Sequence, residues 1–265
     1  MPSRPQLIGV PYDASSSFLR GSAAAPPLIR QTVHSPAGNR YTERGADLTR
    51  LADAGDLTLS NDPANARVMI QAGIETSLSS GFAPIALGGD HSITYPILRA
   101  IALKHSGITI LHVDAHGDLY DDFAGDRFSH ACPFARIMDE KLCTRLVQVG
   151  IRTLTPHQRE QIKRFGVETI EMEQFAAGRR PLISEPVYLS IDLDGLDPAF
   201  APGVSHREPG GLSVRDVLTM IHSLDSAIVG ADVVELNPSQ DLGNVTTSVA
   251  AKIVREIAGS MLLQA

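Results

Sequence analysis

The sequence predicts an α/β chain, with a mostly parallel sheet covered by helices on both faces. Two observations predict it. Short apolar runs recur along the chain with helical stretches between them, and most of the runs are apolar on both faces, as strands covered from two sides must be. The stretches between them carry helix punctuation, and alternating β and α elements imply parallel pairing.

The elements follow in order. Gln6–Val10 opens as a strand. Asp62-Pro63 can cap and start a helix that stops at Gly81, and Pro84–Leu87 is the next strand. Ile108–Val113, Arg145–Val149 and Val167–Ile170 continue the strand series. Thr155-Pro156-His157-Gln158 reads as a capping box with Pro at the first helical position. Val187–Asp192 and Ile228–Leu236 are the last two strands, with a helix opening at Ser213-Val214-Arg215-Asp216 and running toward Leu224 between them. Thr246 to about Leu263 is a closing helix whose apolar residues repeat at three and four. No linker, internal repeat or biased segment interrupts residues 1–265, so a single domain is expected.

Composition narrows the function. At 265 residues, 43% apolar and 20% charged, the chain suits a globular protein with a sizeable core. A net charge of −7 argues against a nucleic-acid partner and suits a small cationic one. Two cysteines, Cys132 and Cys143, cannot form a disulfide framework, which favours a reducing cytosol. The opening residues show no signal-peptide pattern, and no apolar run approaches the length that spans a membrane. A cytoplasmic location is therefore expected.

In such sheets ligands sit beyond the carboxyl ends of the strands. Several apolar runs stop there in unusual residues. Ile108–Val113 ends in Asp114-Ala115-His116-Gly117-Asp118, and alternation puts Asp114, His116 and, if the strand continues, Asp118 on one face. Val187–Ile191 ends in Asp192-Leu193-Asp194, again two carboxylates on one face. Pro84–Leu87 ends in Gly88-Gly89-Asp90-His91-Ser92, and the last strand in Asp232-Val233-Val234-Glu235-Leu236-Asn237-Pro238. Carboxylates gathered at the mouth of an apolar sheet repel one another unless cations neutralise them. No Lys or Arg is interleaved in either Asp motif. A pair of divalent metals answers the problem, and mixed imidazole and carboxylate donors favour Mn, Fe, Co or Zn over Ca or Mg. Such a pair generates a hydroxide nucleophile at neutral pH.

GGDHS at 88–92, DAHGD at 114–118, SIDLDGLDPAFAPG at 190–203 and VELNP at 234–238 together resemble the ureohydrolases, the arginase and agmatinase superfamily. The opening GVPYDASSSFLRGSAAAPPLIR resembles the same family's first strand and loop, so the likeness covers nearly the whole chain. The resemblance implies a three-layer α/β/α fold with a mostly parallel, about eight-stranded sheet, whose eighth strand would lie near Asp56–Leu59. It implies two Mn2+ per chain and a homotrimer or homohexamer. The first Mn2+ would be held by His91, Asp114, Asp118 and Asp192, and the second by His116, Asp114, Asp192 and Asp194. Asp118 would also orient the hydroxide, His130 would shuttle protons to the leaving amine, and Glu235 would pair with the guanidinium. The implied reaction cleaves a guanidino C–N bond to give urea and an amine.

Asp90 is expected to support His116 or His91 from behind, His112 to be a satisfied core histidine, and Cys132 to serve packing. His206 carries no assignment. Arginases bind the amino-acid end of arginine with an Asn after DAHxD, a Ser-Gly-Asn stretch and an Asp-rich turn. This chain has Tyr120, Asp126-Arg127-Phe128-Ser129 and Gly150-Ile151-Arg152-Thr153 in those places. Asp121, Asp122 and Asp126 would attract a free amine, so agmatine is the expected substrate. Arg207 near the mouth would instead suit a guanidino acid such as guanidinobutyrate. Arginine, formimidoylglutamate and a catalytically silent metal-binding scaffold are the remaining readings.

Overall fold

A computed structural model describes residues 4–264. Eight strands form one parallel sheet in the order β2-β1-β3-β8-β7-β4-β5-β6. They are β1 (Arg4–Gly9), β2 (Ala52–Asp56), β3 (Phe82–Leu87), β4 (Thr109–Val113), β5 (Arg145–Ile151), β6 (Glu168–Glu171), β7 (Val187–Asp192) and β8 (Ile228–Val234). The strand expected near Asp56–Leu59 lies a few residues earlier, as β2. Its sequence Ala-Asp-Ala-Gly-Asp has no apolar run, because an edge strand is half solvated.

Eight helices accompany the sheet among the described residues: α1 (Ala25–Val33), α2 (Pro63–Ser79), α3 (Thr94–Lys104), α4 (Pro133–Asp139), α5 (Pro156–Phe165), α6 (Met172–Ala176), α7 (Val214–His222) and α8 (Val245–Gln264). Asp62 caps α2 through the Asn65 N–H, and the capping boxes of Thr155–Gln158 and Ser213–Asp216 are both formed. Alternation along each strand feeds two cores. Leu7, Ile85, Val113, Val149, Leu189 and Val233 pack with α1, α6, α7 and α8. Ile8, Ala86, Ile110, Leu146 and Tyr188 pack with α2, α3, α4 and α5. The chain is therefore a three-layer α/β/α molecule. No described helix is long and apolar enough to cross a membrane.

Both edges are short and acidic. Asp53 and Asp56 of β2 pair with Arg30, while Glu168 and Glu171 of β6 pair with Arg145 and Arg159.

Candidate metal centre and active site

The four central strands deliver the acidic motifs to one place. Val113 of β4 lies opposite Ile191 of β7, so the next residues, Asp114 and Asp192, emerge side by side. Leu87 of β3 lies opposite Val233 of β8, which brings the turn carrying His91 against Glu235. That turn is tight. The Asp90 N–H donates to the Tyr12 carbonyl at 2.8 Å, and a Cβ at Gly89 would collide with the same carbonyl. β4 ends at Val113, so the strand does not continue and alternation does not carry Asp118 to one face with Asp114. Asp118 is turned back by a left-handed backbone, φ 47°. Glu235 also has a positive φ, 66°. Such conformations cost roughly 1–3 kcal/mol each and mark positions that the surroundings hold in place.

Three carboxylates converge on one imidazole nitrogen. His91 Nδ1 is 3.2 Å from Asp114 Oδ2, 3.0 Å from Asp118 Oδ2 and 3.1 Å from Asp192 Oδ2. It is fully buried and makes no hydrogen bond of acceptable geometry. A second group forms alongside, where His116 Nδ1 is 3.1 Å from Asp194 Oδ2 and 3.4 Å from Asp114 Oδ1. The electrostatics show a deficit of positive charge. Burial, then Asp194 and Asp114, pushes the Asp192 carboxyl well above the usual range, and burial raises Asp194 to about 6. Burial opposes a charged His91, yet Asp114, Asp118 and Asp192 raise it well above an ordinary imidazole. Protons stand where cations would serve better. An orphaned buried nitrogen facing three carboxylates, with a second His and Asp set beside it, fits a pair of divalent ions.

A polar row crosses the sheet directly beneath this cluster. Asp232 of β8 lies opposite Ser190 of β7, Ser190 opposite His112 of β4, and His112 opposite Gln148 of β5. His112 Nε2 is 2.7 Å from Asp114 Oδ2 and its Nδ1 accepts from Gln148 Nε2 at 3.1 Å, so His112 is satisfied and also steadies Asp114. Asp232 accepts from Ser190 Oγ at 2.8 Å, Tyr188 OH at 2.7 Å and Thr94 Oγ1 at 2.9 Å. The Asp90 carboxylate hydrogen-bonds to neither the His91 nor the His116 side chain. Its oxygens instead take the Ser15 and Ser92 N–H groups, which fixes the loop after β1.

A cleft of about 170 Å³ opens over the cluster, lined in part by His116, Asp118, His130, His206 and Glu235. Glu235 Oε1 accepts from the His91 N–H at 2.9 Å and lies 3.0 Å from His130 Nδ1. Oε2 has no protein partner among the described residues. Burial opposes both charges of this pair, but each stabilises the other: His130 is raised to about 9 and Glu235 is lowered. Ser17, which the sequence did not single out, sits 2.8 Å from His130 Nε2. His206 is the second addition; its ring lies 5.9 Å from His116 and 5.4 Å from His130, between centroids.

Other expected site residues point elsewhere. Asp121 pairs with Arg136 and Arg164, Asp122 accepts from the Gly125 N–H, and Asp126 from the Phe128 N–H. Arg207 donates to the Pro202 and Gln240 carbonyls rather than into the cleft. Burial pushes the Cys132 thiol up to about 12, which leaves it a packing residue.

The Arginase family profile matches residues 4–259. The chain belongs to the Arginase family. It is 47% identical to "Arginase 1, mitochondrial" of Arabidopsis thaliana, over 96% of this chain and 80% of that one. It is 37% identical to "Agmatinase, mitochondrial" of Gallus gallus, over 95% and 79%. The solved structure of arginase from Medicago truncatula superposes with a TM-score of 0.93 at 44% identity, covering 98% of this chain and 88% of that one. As an Arginase-family member the chain is a hydrolase acting on guanidino C–N bonds. The expected cytoplasmic location is overturned, because these relatives are named as mitochondrial.

Proposed function

We propose that this Arginase-family chain releases urea from L-arginine at a pair of Mn2+ ions. The observation that carries the metal reading is His91 Nδ1, buried, unpartnered and ringed by Asp114, Asp118 and Asp192. His91, Asp114, Asp118 and Asp192 would hold one ion, and His116, Asp114, Asp192 and Asp194 the other. When bound, the ions supply an activated water at neutral pH and stabilise charge at the reacting carbon.

The remaining residues bind and move protons. Glu235 Oε2 is free to accept the guanidinium N–H groups, and Oε1 stays on the His91 N–H, so the carboxylate is anchored while it pairs. His130 keeps its proton at neutral pH because Glu235 faces it, which makes it the proton source for the leaving amine.

The choice of arginine rests on the relatives named arginase and on the loop acids. Asp121, Asp122 and Asp126 are held in contacts of their own, so they no longer favour a free amine. Agmatine remains a second reading on one observation: among the described residues no Lys or Arg lines the cleft to receive an α-carboxylate. The test is urea release by Mn-loaded protein from arginine, agmatine and guanidinobutyrate, with formimidoylglutamate followed by formamide. Arginine should have the highest kcat/KM. A higher value for agmatine replaces the substrate, and no product from any of them sinks the reading.

A further inference from the structure

Both nitrogens of His130 are taken in the folded chain. Nδ1 faces Glu235 Oε1 at 3.0 Å and Nε2 faces Ser17 Oγ at 2.8 Å. The imidazole therefore cannot reach a bound molecule directly without breaking one of these contacts. Ser17 is exposed and lines the cleft with His116, Asp118 and Glu235, so its hydroxyl is the group that meets both the ring and the cleft.

The loop carrying Ser17 is pinned from both sides by motif residues that take no part in the metal cluster. On one side, Asp90 Oδ2 accepts the Ser15 N–H at 3.0 Å, and the Ser15 carbonyl accepts the His130 N–H at 3.1 Å. On the other, the Leu19 carbonyl accepts from Asn237 Nδ2 and from Ser205 Oγ, both at 2.8 Å. Leu19 itself is held at φ 41°, a conformation that a leucine adopts only under constraint. The ends of β3 and β8 thus fix a serine hydroxyl against one histidine nitrogen.

We infer that Ser17 is the proton relay between His130 and the substrate. The inference rests on the proposed hydrolysis. As the C–N bond breaks, its electron pair goes to the leaving nitrogen, which takes the Ser17 hydroxyl proton. Ser17 Oγ takes the Nε2 proton in the same step, so serine ends unchanged and His130 ends neutral, with its Nδ1–H still on Glu235. The reverse path through the exposed hydroxyl recharges the ring from bulk water.

The experiment compares wild type, Ser17→Ala and Ser17→Thr in the metal-loaded protein. Ser17→Ala should lower kcat by about 10- to 100-fold while metal content and KM stay as in wild type, and Ser17→Thr should restore most of the rate. In mixtures of H2O and D2O the wild-type rate should curve with deuterium content, as for two protons in flight, and become linear in Ser17→Ala. A wild type that makes urea beside an equally fast Ser17→Ala overturns the relay. A wild type that makes no urea from any guanidino compound overturns the reaction. Nitrogen NMR of His130 decides the direction of the bond without turnover. The relay requires a protonated Nε2 near neutral pH, and a bare Nε2 overturns it.

Discussion

His91 Nε2 and the Ser190 hydroxyl lie 2.9 Å apart, and this contact fixes the histidine tautomer. Ser190 Oγ donates to Asp232 Oδ1, so it can only accept from His91, and the proton sits on Nε2. With its proton on Nε2, a neutral His91 would offer the Nδ1 lone pair to an ion held by Asp114, Asp118 and Asp192. Ser190→Ala should weaken divalent-ion binding by about 10- to 100-fold, measured by competition with a chelator. Unchanged affinity would remove Ser190 and Asp232 from any part in holding the ions.

In the proposed scheme Asp114 and Asp192 would each serve both ions, and that sharing predicts the stoichiometry. Elemental analysis of active protein should give about two divalent ions per chain, the pair a binuclear site holds. Asp192 Oδ2 faces His91 while Oδ1 accepts the Asp194 N–H, so Asp192→Ala should lose nearly all the metal. Asp194 faces His116 alone among the histidines, and Asp194→Ala should keep the ion beside His91. Active enzyme carrying a single ion would sink the binuclear scheme.

Glu235→Gln keeps the size and removes the charge. It should leave metal content near wild type and lower kcat/KM by an amount on the order of 2–5 kcal/mol, the cost of unpairing a charge in a desolvated site. The pH profile should move as well. His130 is raised to about 9 chiefly by Glu235 against the pull of burial, so it holds its proton below that value and loses it above. With Gln the alkaline fall in kcat should shift to lower pH. Full activity with an unmoved profile would make Glu235 a structural residue.

Burial pushes both thiols, Cys132 and Cys143, up to about 12. Iodoacetamide at mildly alkaline pH should label neither cysteine in the native protein and both after unfolding, read by intact mass. Rapid native labelling of Cys132 would mean that the chain beside His130 opens readily.

The strand ends were legible because burying an apolar run and then stopping it in Asp or His is costly unless those polar groups meet a partner at the sheet mouth. Asp114, Asp192 and His91 could be placed together from that signal alone. Asp118 could not, since its position depends on one left-handed residue that no periodicity encodes. Ser190, His112 and Asp232 stand two or three residues before Asp192, Asp114 and Glu235 in their strands. Within apolar runs they look like tolerated core polar groups, and only the pairing register shows that they form one row. Ser17 was hidden because a serine in a Ser-Ser-Ser-Phe loop carries no pattern. Asp121 and Arg207 were overread, because surface charges near a site often have neighbours of their own.

The charged margins of the sheet decide how the molecule can fail. An open parallel sheet offers free peptide groups along each side, onto which a stray strand from another chain can stack. Here the newcomer would have to cover Asp53 and Asp56 on one side, or Glu168 and Glu171 on the other, together with the arginines that clasp them. Intact molecules crowded together therefore hold out no template for runaway stacking. Clumping must wait until heat or acid has first opened the interior.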